Sequence, residues 1–378
     1  MKLEQFRWTE TKGWEPAAPG KLDQAQLVLM FSSRQLMKEQ KYLAEMKKAY
    51  PKAHFMGCST AGEIYGTQVS DESLVVTAVQ FERTTLKGAH TKVHTMGGSF
   101  AAGERLAKEL NTPDLAHVFV LSDGSGVNGS DLVAGLAKHL PADVTITGGL
   151  AGDGPRFEET YVLWDDAPDK LVVAALGFYG DRLKVGYGSL GGWDSFGPER
   201  LITKSKGNVL FELDGKSALE LYKQYLGEHA QGLPATGLLF PLSLRVAEDD
   251  TPVVRTILAV SEPEQSMTFA GDVPEGSYAR LMKANFDRLV DGAIGAAQTT
   301  YQAVGSATPD LAILISCVGR KLILKQRVEE EVEGVREVLG EQAVLAGFYS
   351  YGEISPFTPG AKCELHNQTM TITTFSED

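Results

Sequence analysis

The sequence predicts an α/β protein: mixed α/β sheets with flanking helices, in two packed halves built from repeated strand–helix–strand units with an internal duplication. Two observations carry this. Gly57-Cys58-Ser59-Thr60-Ala61-Gly62-Glu63-Ile64 returns as Gly347-Phe348-Tyr349-Ser350-Tyr351-Gly352-Glu353-Ile354, with a weaker echo, Gly148-Gly149-Leu150-Ala151-Gly152-Asp153, between them. Each copy follows a short apolar run, an amphipathic helix and a second short run, and the distance from Leu27 to Gly57 equals that from Val118 to Gly148.

In the first unit, residues 26–31, apolar after Gln26, form a compact run of strand length. Ser32 and Ser33 stand where a helix cap belongs, and Leu36, Met37, Leu43 and Ala44 share one face of a helix that Pro51 ends. Residues 53–56 lead into the Gly57 loop, and 73–81 and 91–96 read as further strands. The second unit repeats this order. It has a strand at 116–121, a cap at Asn128 or Ser130, and the stripe Leu132, Val133, Leu136, Ala137 and Leu140, stopped by Pro141. Residues 144–147 lead into the Gly148 loop, with strands at 171–179 and 183–187 after it. A third unit has a strand at 312–316, a helix at 329–339, a lead-in at 343–347 and a last strand at 370–375. Between them, 218–226 reads as helix, 238–246, 253–260 and 266–270 as strands, and 278–297 as a long helix. This stretch is a candidate fourth, eroded copy. The glycine-rich 186–197 segment marks the boundary, giving domains at 1–200 (duplicated over about 22–97 and 114–190) and 201–378.

Composition limits the function. The 378 residues carry a net charge of −13, which argues against nucleic acid, since phosphate binding needs a basic face. Three separated cysteines fit a reducing cytoplasm better than a disulfide framework. No apolar run approaches a membrane span, and the first residues lack the apolar core of a signal peptide. The expectation is a cytoplasmic protein with no membrane span.

The chain resembles the FIST sensory domain, in its N-terminal and C-terminal parts. The resemblance rests on the Gly57–Ile64 and Gly148–Gly154 segments, Gly207-Asn208-Val209-Leu210 with Asp214-Gly215, Cys317-Val318-Gly319-Arg320, Gly347–Pro356, and Leu365-His366-Asn367-Gln368-Thr369. It implies a small-ligand sensor of signal transduction, with amino acids or related metabolites as ligands. No kinase, cyclase or DNA-binding signature is visible, so the signal is expected to leave through a separate partner such as a kinase or cyclase.

Ligands of open α/β sheets sit beyond the carboxyl ends of the strands. That places Ser122 and Asp123, and Arg320 after Cys317, on a rim shared with the loops that carry Cys58, Ser59, Thr60, Glu63, Asp153, Tyr349, Tyr351 and Glu353. Arg320 is a candidate carboxylate clamp. Glu63, Asp153 and Glu353 are candidate ammonium acceptors, and Tyr349 and Tyr351 candidate walls. The competing reading is structural: glycine permits tight backbone, and the carboxylate caps local N–H groups.

Cys58 invites a nucleophile reading, but no histidine is spaced to serve it, and a small buried thiol accounts for it. Cys363 and His366 lack the second pair of a zinc site, and His90 and His94 fall on an expected strand. Some relatives are linked to haem and nitric oxide, which makes His366, beside Asn367, a candidate axial ligand if it is exposed; no cofactor is otherwise implied. The acidic run from Glu329 to Glu333 reads as a solvated helix face. The leading expectation is a ligand-binding sensor without catalysis. A haem-based gas sensor, or an enzyme acting on a small metabolite at the same rim, are the alternatives.

Overall fold

The computed structural model describes residues 1–16, 19–247, 252–305, 307–358 and 360–377. It is a mixed α/β protein with repeated units, and the repeat is threefold. In each unit a parallel pair of strands forms the centre of a sheet. The pairs are Leu27–Ser32 with His54–Ser59, Leu115–Ser122 with Thr145–Leu150, and Leu311–Cys317 with Val344–Ser350. An antiparallel return strand lies beside the first member of each pair: Leu74–Gln80, Val172–Tyr179 or Met370–Glu377. Beyond it sits the strand that opens the unit: Lys2–Thr9, Thr85–Lys92 or Leu183–Leu190.

The other edge of each sheet is supplied by a different unit. Glu63–Tyr65 of the first unit pairs with Val344–Ser350 of the third. Gly352–Pro356 of the third pairs with Thr145–Leu150 of the second. Val162–Trp164 of the second pairs with His54–Ser59 of the first. The exchange is cyclic, so a boundary near residue 200 divides the sequence without dividing the sheets.

The central strands read as unbroken apolar runs because both faces are covered. Leu27, Leu29 and Phe31, Phe119 and Leu121, and Ile313 and Ile315 share one core at the centre of the molecule. There Phe31 meets Phe348 at 4.8 Å between ring centroids, and Phe178 stacks on Phe375 at 5.2 Å. Alternate residues such as Val28, Met30, Val118, Val120 and Leu314 turn outward to the helices.

The repeated glycines have a common steric cause. Met30 pairs with Gly57, Val120 with Gly148 and Leu314 with Gly347 in the parallel registers. A Cβ on each glycine would stand 2.0, 1.9 and 1.9 Å from the carbonyl oxygen of that partner. The register also shows that the equality of the Leu27–Gly57 and Val118–Gly148 distances is one residue out of step: the counterpart of Leu27 is His117. A second shared feature is the turn before each return strand, where Glu72, Leu171 and Gln368 have φ of 56°, 60° and 63°.

Several local expectations change. Residues 194–283 carry an eight-stranded sheet with its own core around Leu219, Tyr222, Met267 and Phe269, inserted into the third unit rather than a fourth copy. The expected 278–297 helix divides into strand Tyr278–Lys283 and helix Phe286–Ala303, because the Asn285 side chain accepts from Arg288 N–H and starts the helix there. The strand expected at 91–96 is Thr85–Lys92. Asn128 caps its helix as expected, whereas Ser33 occupies the cap position without a side-chain bond.

The steric reading predicts that Gly148→Ala, at φ 149° and against Val120, lowers stability by roughly 3 kcal/mol or more. Gly66→Ala, at φ 59° with open space around it, is expected to cost about 1 kcal/mol. Urea unfolding of the two variants measures the difference.

Candidate functional site

Three loops meet where the parallel strands end, and their backbones close a ring. Ala61 N–H donates to Tyr349 C=O at 2.8 Å, Gly152 N–H to Ser59 C=O at 2.8 Å, and Tyr351 N–H to Leu150 C=O at 3.3 Å. Each donor stands four residues after its unit's glycine and each acceptor two, so the bonds are equivalent and run from unit to unit.

Inside this ring most predicted residues are committed to the fold. Glu63 is buried and accepts from Thr60 Oγ1, from Ser73 N–H at 3.0 Å and from Ser73 Oγ at 2.7 Å. Glu353 repeats the pattern with Ser350 Oγ, Thr369 N–H at 3.2 Å and Thr369 Oγ1 at 2.9 Å. Each carboxylate thereby anchors the start of its return strand. In the second unit Asp123 does this work, accepting from Leu171 N–H at 3.1 Å and Thr160 Oγ1 at 2.9 Å. Ser122 bonds within its own turn, and Ser59 Oγ donates to Gly152 C=O and accepts from Tyr161 N–H. Both carboxylates are thus buried and bonded within their own units, as the structural reading of the Gly-Glu pairs expects.

Four further expectations are corrected. Arg320 is fully buried and paired with Glu331 at 2.8 Å, and Glu331 also accepts from Ser316 Oγ and Tyr349 O–H. Arg320 is therefore no clamp, Tyr349 no wall, and Glu331 is not part of a solvated face. His366 is buried, not exposed: its Nε2 lies 2.8 Å from Ser355 C=O, its ring packs on Phe357, and burial lowers its pKa to about 4. Its Nε2 is engaged and its Nδ1, though unpartnered, is enclosed, so in this state no ring nitrogen faces solvent. Asn367 beside it is buried too. Cys58 lies in the shared core, where burial pushes the thiol well above its ordinary value. Among the described residues no three His, Cys, Asp or Glu side chains are placed to hold a metal ion, and no helix is long and apolar enough to cross a membrane.

What remains open lies between units. Asp153 is buried and paired with Arg34 at 2.9 Å and Arg156 at 2.6 Å, which closes the junction of the second and first units. Tyr351 stacks on Phe157 at 4.4 Å and lines a small cavity with Gly124 and Asn128 at the junction of the third and second. At the junction of the first and third there is a cleft of about 570 Å³, lined by Thr60–Glu63, Asp71, Glu72, Arg156, Lys321 and Lys325. Lys321 Nζ crosses it, donating to Ala61 C=O at 2.9 Å and to the Asp71 carboxylate. The sequence reading missed Lys321, Asp71 and Arg156. The available signal was the position after Arg320: one helical step turns the side chain by about 100°, from the core to the neighbouring loop.

Removing Glu331 strands a buried guanidinium, so Glu331→Ala is expected to cost about 3–5 kcal/mol, whereas Glu330→Ala, at a partly exposed ion pair on the same helix, is expected to change the urea midpoint far less. Burial raises Glu63 to about 7 and Glu353 to about 8, against their hydrogen bonds. The folded protein thus holds these protons more tightly than the unfolded chain. Their contribution is full below about pH 4.5 and is lost as pH rises through about 7 and 8. Glu63→Gln and Glu353→Gln are expected to flatten this loss in urea midpoints taken at pH 5 and pH 8.

The chain is 24% identical over 317 residues to an uncharacterised protein of Methanocaldococcus jannaschii, covering 76% of this chain and 59% of that one. The chain therefore spans about three-fifths of that relative. A cyanuric acid hydrolase of A. caulinodans superposes over 99% of this chain and 98% of its own, at a TM-score of 0.37 and 7% identity, too slight a likeness to bear on chemistry. The FIST N domain matches residues 26–216 and the FIST C domain residues 218–356. Such domains are associated with sensory small-ligand binding in signal transduction. With both matched in order along the chain, this protein belongs to the FIST family.

Proposed function

We propose that the cleft between the first and third units binds a free α-amino acid or a closely related zwitterion, and that the protein reports its occupancy to a separate signalling partner, such as a kinase or cyclase, in the cytoplasm. The observation that carries this reading is the mixed charge of the cleft. Lys321, Lys325 and Arg156 face a space that Asp71 and Glu72 also line. Lys325 and Glu72 are exposed, and the Ala61–Gly62 backbone runs between the two sets of charges. A carboxylate and an ammonium on one small molecule match that arrangement, and the volume falls within the range of small-molecule pockets.

Ligand exchange at Lys321 also suggests how a signal begins. Its amine links the third unit's helix to the Ala61 carbonyl, beside the ring. A ligand carboxylate that draws the amine away weakens that link, so the relative position of two units depends on occupancy. The reading is of binding without turnover.

Thermal-shift titration with single amino acids tests this. A ligand at a hundred times its Kd adds about 2.7 kcal/mol of stability. The expected outcome is a shift with one or a few amino acids, no shift with the corresponding amine or N-acetyl derivative, and loss of the shift in Lys321→Gln/Lys325→Gln. A silent panel, or ligand consumed with product released, overturns the reading. A Soret band on adding haem, lost in His366→Ala, selects the gas-sensor alternative.

A further inference from the structure

A second cavity, of about 700 Å³, lies away from the cleft, against the Gly129–His139 helix, the Thr145–Leu150 strand and the hairpin that carries Cys363. Its walls are largely apolar and include Val133, Ala137, Leu140, Val144, Ile146 and Leu365. The charged rim residues Asp143, Lys362 and Glu364 are exposed. Arg255, which also lines the cavity, is only 6% exposed.

Two arginines are buried in this protein's described residues, and they are treated differently. Arg320 is neutralised by Glu331 in direct contact. Arg255 donates Nε to Asp272 C=O at 3.1 Å, and Nη1 to Val254 C=O at 3.3 Å and Leu365 C=O at 3.0 Å, all of them neutral acceptors. No carboxylate lies within ion-pairing distance of it among the described residues. Asp272 and Glu364 favour its charge only through space, and the Asp272 carboxylate accepts from the Asn128 amide instead. Burying a guanidinium without a counter-ion is costly, and the Arg320 pair shows the usual remedy. An anion that entered the cavity would gain charge-assisted hydrogen bonds there. The exposed rim carries acids as well as a lysine, which favours a single negative charge over a phosphate.

We propose that this cavity is a second ligand site, for a monocarboxylate with an apolar tail, its carboxylate paired with Arg255 and its tail laid along Val133, Leu140 and Ile146. The site is independent of the amino-acid cleft. Gly271 belongs to it indirectly: a Cβ there would meet Arg255 Nε at 2.8 Å, so the glycine makes room for the guanidinium.

Cys363 provides a slow local probe at alkaline pH: it lines the cavity and is partly exposed, its thiol donating to Ile146 C=O at 3.3 Å and pushed well above its ordinary value by burial, while Cys58 and Cys317 are buried. Octanoate is expected to raise Tm and to slow alkylation of Cys363 at least tenfold, whereas octanol and octylamine do not. Arg255→Gln is expected to remove the protection. Ala137→Trp, which fills the mouth from an exposed helix position, carries the same expectation should Arg255→Gln fail to fold. Lys321→Gln is expected to leave octanoate protection intact, which separates this site from the cleft. The proposal is overturned if octanol protects as well as octanoate, if octanoate gives no protection, if protection survives the substitutions, or if Lys321→Gln abolishes it.

Discussion

Everything at the centre of this protein depends on three backbone hydrogen bonds that pass from each unit's loop to the next. Ala61, Gly152 and Tyr351 give their N–H groups to Tyr349, Ser59 and Leu150. Buried backbone donors need partners, and at these strand ends the partner comes from the neighbouring unit. Closing the ring answers that need and fixes how the units meet. The exchanged edge strands extend the same logic outward, since each sheet would otherwise leave an unpaired edge beside its second parallel strand.

A threefold frame with unequal side chains yields three different junctions. Ion pairing of Asp153 with Arg34 and Arg156 fills one. An aromatic stack of Tyr351 on Phe157 borders the second, where the inserted sheet adds a further wall. Lys321 spans the third and leaves a polar cleft around it. The backbone repeats, and the chemistry does not. Charge set against a fixed frame is what distinguishes a candidate binding site from a structural joint here.

Much of this was legible in the chain. The paired Gly57 and Gly347 segments announced equivalent loops, and the apolar runs around Leu29, Val120 and Ile313 announced buried strands. The weak Gly148 echo proved a full member of the set. The Gly-Glu pairs were legible as a motif but not as a role. A carboxylate next to a glycine reads alike whether it caps its own turn or meets a ligand; Ser73 and Thr369, which decide the matter, are distant in sequence from the motif. Arg320 misled for the same reason, because its partner Glu331 sits in an acidic run of which Glu329 and Glu333 are exposed. The strands expected at 238–246, 253–260 and 266–270 belong to the inserted sheet, but its strand Tyr278–Lys283 hid behind helical periodicity at residues 278–297, where Asn285 rather than hydrophobicity sets the helix start.

By itself the sequence determined the units, their internal order and the glycines at which backbone must approach backbone, because these follow from local periodicity and from the volume of a single side chain. The tertiary structure alone decided which unit completes which sheet, which charges are neutralised inside and which are left facing a cleft or cavity. Those outcomes depend on burial and on partners brought from elsewhere in the chain. The free energy of a charge is set by such surroundings, and they exist only once the ring has closed.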